Sequence, residues 1–152
     1  MATWGAFATD SPDLAAEGRR LFYRTDIGEV FLATVREGGP PRIHPIWISI
    51  VGDSLYAFIL ASAKRGDLRR DGRYAMHSHV DPAKPSEFSV RGSAKLVDDA
   101  RVRADVGRQW YFEVDDTYEL FEFSVDAAIL GVRETADEWP PRYTTWRNSE
   151  RG

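Results

Sequence analysis

Three apolar runs, "EVFLATV", "RIHPIWISIV" and "SLYAFIL", follow one another in this chain, parted only by the six residues Arg36 to Pro41, with their Gly-Gly-Pro-Pro cluster, and by Gly52-Asp53. Connections that short cannot carry a parallel crossover, so the runs form an antiparallel meander. Further on, "EFSVRGSAKLV" alternates Phe88, Val90, Ala94 and Leu96 with Ser89, Arg91, Ser93 and Lys95, which is a strand with one wet face. Gly92 at its midpoint marks a bulge or a barrel bend. The segment "YELFEFSVDAAILGV" is expected to be one long strand, and "PPRYTTWR" a last short strand or an ordered tail. About six or seven strands of this kind close most economically as a small antiparallel barrel, which hides its edges.

Two or three helices sit at the margins. "SPDLAAEGRRLFY" reads as a helix over about 12–24, with Ser11 as cap, Pro12 at the first helical position, and Leu14, Gly18, Leu21 and Phe22 on one face. A short helix follows Ser62. Another follows Asp98 and Asp99, where Val102, Val106 and Trp110 recur every fourth residue as a buried stripe. The fold class is therefore mainly β, α+β by count. A length of 152 residues, 43% hydrophobic, fits one domain over 1–152 with its barrel over about 28–148.

Charge and residue usage narrow the function. A net charge of −4 argues against a phosphate-backbone binder, which needs a basic face, so no nucleic-acid partner is expected. The absence of cysteine excludes thiolate nucleophiles, disulfides and Cys-based zinc sites. "MATWGAFATDSPD" has neither the basic start nor the apolar run of a secretory signal, and no apolar stretch approaches the roughly 20 residues that span a bilayer. A soluble, cytoplasmic protein without a membrane partner is expected.

Against that acidic background, "ASAKRGDLRRDGR" sets five Lys or Arg residues against two Asp. Ser62 is placed to cap a helix whose first turn then carries Lys64 and Arg65, at the end where the helix dipole disfavours cations by a few tenths of a kcal/mol each. An anion bound to the free N–H groups of that turn reverses the sign. The alternative is a solvated helix whose Asp67, Arg70 and Asp71 offset the charges. A second irregularity lies in "RIHPIWISIV", where Pro45 has no N–H for a ladder, so the strand is an edge or irregular there and backbone groups are left free. His44 and Trp47 flank it on opposite faces. A broken strand near an anion-binding helix start suits a flat heteroaromatic ligand with a phosphate tail, such as a nucleotide or a flavin.

The order "GEVFLATVREGGPPRIHPIWISIVGDSLYAF", "SAKRGDLRRDGRYAM", "VRGSAKLVDD" resembles the pyridoxamine 5'-phosphate oxidase-like family of flavin-binding split barrels, most specifically in the run from Ser62 to Arg73. The resemblance implies a split barrel holding FMN or, in some branches, a deazaflavin coenzyme. It places Lys64 on the cofactor phosphate with Ser62 and Arg65 beside it. His44, Pro45, Ile46 and Trp47 would lie along the ring system, His44 standing where an Arg is common, and Ile59, Leu60 and Ala61 would offer backbone groups. It also implies a homodimer with sites at the interface, where Trp146, Tyr143 or Arg147 reaches the partner's flavin.

The chain departs from the family in Gly72, where Pro is usual, and in Tyr74, where Val is usual. Its ending "RYTTWRNSERG" lacks the Arg-x-His pair and Leu-x-Pro terminus of true pyridoxamine 5'-phosphate oxidases, so vitamin B6 oxidation is not expected. With no triad, no metal spacing and no nucleophile, no residue is expected to be catalytic itself; Ser62 is a cap. The function expected is hydride transfer between FMN, or a deazaflavin, and a small molecule. The alternative is a non-catalytic flavin or haem binder, for which His77 and His79 are possible ligands, though a satisfied strand histidine is the commoner outcome.

Overall fold

The computed structural model describes residues 1–149; the last three residues of the expected domain and of the "RYTTWRNSERG" ending lie outside the described residues. The order is α1 (Trp4–Asp10), α2 (Pro12–Phe22), β1 (Gly28–Val35), β2 (Pro41–Val51), β3 (Ser54–Ile59), α3 (Ala63–Arg70), β4 (Arg73–Ser78), β5 (Glu87–Leu96), α4 (Ala100–Arg108), β6 (Glu119–Phe123), β7 (Ala127–Val132) and β8 (Arg142–Arg147). Strands β4-β1-β2-β3-β6-β5 form a closed antiparallel ring of six, because β5 pairs back onto β4; β7 and β8 extend outward from β5. The meander β1-β2-β3 is present as read, with Gly38 and Gly39 in the turn at φ 87° and 107°.

Alternation along β1 explains the core. Val30, Leu32 and Thr34 point inward and are buried, while Glu29, Phe31 and Ala33 are half-buried on the outer face. Strand β3 is buried along its whole length, because Phe58 on its outer side meets Trp110 after α4, ring centroids 5.3 Å apart. One apolar cluster joins the barrel interior to the aromatic layer of Trp4, Phe7, Phe22 and Phe88 beneath α1 and α2. Burying side chains of that size contributes about 1.5–3 kcal/mol each before entropy is counted.

Gly92 sits where β5 bends and changes partners. Residues up to Arg91 pair with β7, residues from Ala94 pair with β6, and a Cβ at Gly92 would stand 2.2 Å from the Ser124 carbonyl. Two expectations change. The single strand expected over "YELFEFSVDAAILGV" is broken after Phe123, because Ser124, whose carbonyl accepts from Tyr74, turns the chain from β6 to β7. There are also four helices among the described residues, α1 being additional to those expected; Thr3 caps it at the Ala6 amide. Ser11 precedes α2 as read, but its side chain makes no capping hydrogen bond. No helix among the described residues is long and apolar enough to cross a membrane.

Candidate functional site

The barrel is split where β2 changes partner. From Pro41 to Ile48, β2 pairs with β1; from Ser49 to Val51 it pairs instead with β3. Residues Ala57 to Ile59 of β3 pair only with β6. A wedge therefore opens between the edge of β2 that carries His44 to Trp47 and the end of β3, where Leu60 to Ser62 lead into α3. Pro45, opposite Phe31 of β1, lies midway along this open edge, where its missing N–H breaks no ladder.

Register sorts the side chains of β2 by face. His44 is paired with Leu32 and faces inward, and its Nδ1 is enclosed without a hydrogen-bond partner among the described residues. Ile46, paired with Val30, shares that face and packs on the core. Trp47 is paired with Glu29 on the outer face and is 40% exposed. Its ring stands edge-on to Tyr111, centroids 5.5 Å apart, and 6.1 Å from Phe112. Tyr111 fastens that aromatic loop to the sheet: its hydroxyl donates to the Ile48 carbonyl at 2.6 Å and accepts from the Gly28 amide at 2.9 Å. Burial pushes the Tyr111 phenol up to about 12, so it stays a donor at any ordinary pH.

Across the wedge, Ser62 caps α3, its hydroxyl accepting from the Arg65 amide at 3.3 Å and donating to the Leu60 carbonyl at 2.9 Å. The amides of Ala63 and Lys64 in that first turn have no acceptor within the helix. The Lys64 ammonium, half-buried, has no hydrogen-bond or ion-pair partner among the described residues. Leu60 and Ala61 are exposed, whereas the Ile59 side chain is in the core.

A buried carboxylate, which the solvated-helix alternative puts at the surface, holds α3 in place. Asp67 is 3% exposed and accepts from Thr34 Oγ1 at 2.7 Å, Arg42 Nε at 2.8 Å and Arg70 Nη2 at 3.2 Å. Burial alone would raise its pKa, but the hydrogen bonds from Arg42, Thr34 and Arg70 outweigh burial and hold it below the usual carboxylate range. The bond to Arg42 ties α3 to the beginning of the open stretch of β2.

Two expected site residues are placed elsewhere. The Arg65 guanidinium pairs with Glu119 at 2.9 Å and donates to the carbonyls of Ile59 and Thr117, so it bolts α3 to β3 and β6 rather than facing the wedge. Trp146 on β8 packs on Phe7 of α1, centroids 4.9 Å apart, with its indole N–H on Asp10. That packing within its own chain leaves Tyr143, 59% exposed, and Arg147 as the two outward-facing members of the three expected partner-reaching residues. Of the two histidines, His77 lies 3.5 Å from Glu87, and the His79 ring stacks on Phe31 with centroids 4.3 Å apart. No cluster of three or more metal-binding side chains occurs among the described residues.

What the arrangement offers is an unsatisfied helix start, a lone cation and an unpaired stretch of backbone beside an exposed indole. Those donors fit a dianionic phosphate joined to a flat ring system. No family model and no curated protein matches the sequence. Solved structures do match. A protein related to general stress protein 26, of the pyridoxinephosphate oxidase family, from Clostridium acetobutylicum superposes with a TM-score of 0.63 at 15% identity, covering 89% of this chain and 94% of the other. A haem-binding protein from Mycobacterium smegmatis gives 0.60 at 14% identity, over 86% of this chain and 57% of the other. The haem storage protein of Vibrio cholerae gives 0.58 at 14% identity, over 74% and 89%. At such identities the likeness establishes the fold: a split barrel of the pyridoxamine 5'-phosphate oxidase kind.

Proposed function

We propose that this chain binds flavin mononucleotide in the wedge and works as a flavin-dependent oxidoreductase on a small molecule. The phosphate lies at the start of α3, held by Lys64 and the Ala63 and Lys64 amides, with Ser62 shaping the turn. The ring system lies along the open edge of β2, beside His44, Pro45, Ile46 and Trp47, and meets the backbone of Leu60 and Ala61. The observation that carries this reading is the unpartnered Lys64 at the positive end of a helix dipole, where only a bound anion makes a cation favourable.

Bound flavin takes or gives hydride at its central ring, so the chain supplies position, electrostatics and exclusion of water, and no side chain is assigned as catalytic. The reading includes a homodimer with a cofactor site at each interface, supported by the outward apolar residues Ile43 and Leu60, which are 65% and 46% exposed. It also includes a single domain and a cytoplasmic setting, which a cysteine-free sequence suits. A deazaflavin coenzyme offers the same combination of flat ring and phosphate and is the alternative cofactor.

A second reading, a haem-storing or haem-sensing barrel, is favoured by the likeness to the two haem proteins and by the neighbouring His77 and His79. The visible spectrum of the purified protein separates the readings: two flavin bands are expected, against a single deazaflavin band or a Soret band. Anaerobic mixing with reduced nicotinamide or reduced deazaflavin should then bleach the flavin. A bound flavin that no donor reduces, or a Soret band, contradicts the oxidoreductase.

A further inference from the structure

On the outer face of the barrel, beside the wedge, Glu29 stands between Trp47 of the neighbouring strand and His79 just beyond β4. These three residues, with Pro45 and Ile46, line an open hollow of about 340 Å³. Its walls are flat: the Trp47 indole on one side, the His79 ring stacked on Phe31 on the other. Its charge is a carboxylate. Glu29 is half-buried and accepts a hydrogen bond from Thr25 at 3.1 Å, yet no Lys, Arg or His forms an ion pair with it among the described residues. Two cations of the adjoining hollow are directed elsewhere: Arg20 pairs with Glu17, and Arg24 donates to the carbonyls of His79 and Ser86. Lys84 lines that adjoining hollow too, its amide donating to the Asp81 carbonyl at 3.0 Å, and the two hollows share Glu29 and His79.

We infer that this hollow is a binding site for a planar, positively charged ring of the pyridinium class. An indole face attracts a flat cation through its quadrupole, and a fixed carboxylate without a counter-ion supplies the charge that such a ring lacks. A volume near 340 Å³ accommodates one ring and its substituent. The site gains a use if the flavin reading holds, on which this part rests: the residues there would hold a dihydronicotinamide, a hydride donor whose oxidised ring is the pyridinium cation. Glu29 would favour that product charge as it develops, and Trp47 would present the ring to the wedge.

The test is binding of 1-methylnicotinamide, a cation, against nicotinamide, its neutral counterpart, by the full chain with and without added FMN. Calorimetry supplies affinities, and the indole N–H signals of the five tryptophans supply location, Trp47 being identified by its loss in Trp47→Phe. The cation should bind about tenfold more tightly, as desolvated cation–aromatic contacts allow, and should move the Trp47 signal. Glu29→Gln should bring the two ligands to near parity. Equal binding of both, an unmoved Trp47, or movement confined to the exposed Trp139 would overturn the inference, as would a second copy of the chain covering the hollow. The FMN titration run alongside is read separately: a chain that binds the cation but no FMN keeps this site and loses the flavin reading, and the reverse result does the opposite.

Discussion

Trp47 and Ile48 are adjacent in β2, yet Trp47 is 40% exposed at the rim of the wedge and Ile48 is fully enclosed at the point where the strand passes from β1 to β3. The same contrast holds between the two stretches they belong to. Before Ile48 the strand has one open edge and side chains that alternate between exposed and half-buried; from Ile48 to Ile50 every side chain is buried, and Tyr23 accepts from the Ile50 amide at 2.8 Å. A single strand thus serves as scaffold at one end and as a binding edge at the other, and the partner change that creates the second is what splits the barrel.

The largest effect that would sharpen this contrast is on stability. Ile48→Ala should lower the unfolding free energy by about 3 kcal/mol, as deletion of a fully buried side chain does, while leaving flavin affinity in the surviving folded protein. Denaturant titration of the variant checks it. A next effect concerns the tie between the two sides of the wedge. Asp67→Asn removes the charge that Arg42, Thr34 and Arg70 surround, and about 2 kcal/mol is expected to go with it. The pH dependence follows from the lowered pKa of Asp67 in the folded chain. Its stabilisation is fully present above the unfolded carboxylate value near 3.9 and is lost as pH falls through the lower folded value. The gap between the natural chain and Asp67→Asn should therefore close below about pH 4, and a gap that persists there would assign the loss to shape alone.

Ser62→Ala should cost about 1 kcal/mol, confined to α3 because only the Arg65 amide loses its acceptor. Amide exchange in that helix is the suitable readout, and faster exchange throughout the barrel would contradict a local cap. Smallest is the expected stability change in Trp47→Ala, under about 1 kcal/mol for a side chain already facing water. A loss as large as that of Ile48→Ala would erase the difference between the two stretches.

Backbone chemistry carried by single residues was legible in the sequence. Pro45 announced an edge or irregular strand, Ser62 announced a cap that the structure shows, and Gly92 announced the bend where β5 changes partners. Features that depend on distant partners were not. Alternation of Phe121, Phe123 and Val125 runs on through the turn between β6 and β7, so nothing local marks the break. Helix α1 is short, with Gly5 and Thr9 weakening its local signal. Arg65 looks like a phosphate ligand until Glu119 is folded beside it, and Asp67 looks like surface charge until Thr34 and Arg42 close over it. A buried carboxylate three residues beyond Lys64 leaves no mark in a charge count; the clue available was its placement on the one apolar side of α3, next to the buried Leu68.

The measurement that bears most directly on the account is a paired titration of the natural chain and Lys64→Ala with FMN and with riboflavin, which has the same rings and no phosphate. FMN should bind the natural chain more tightly than riboflavin does, and Lys64→Ala should weaken FMN by about 1.5–3 kcal/mol while leaving riboflavin and the melting temperature as they were. Equal affinity for the two ligands, or an FMN affinity indifferent to Lys64, would contradict it.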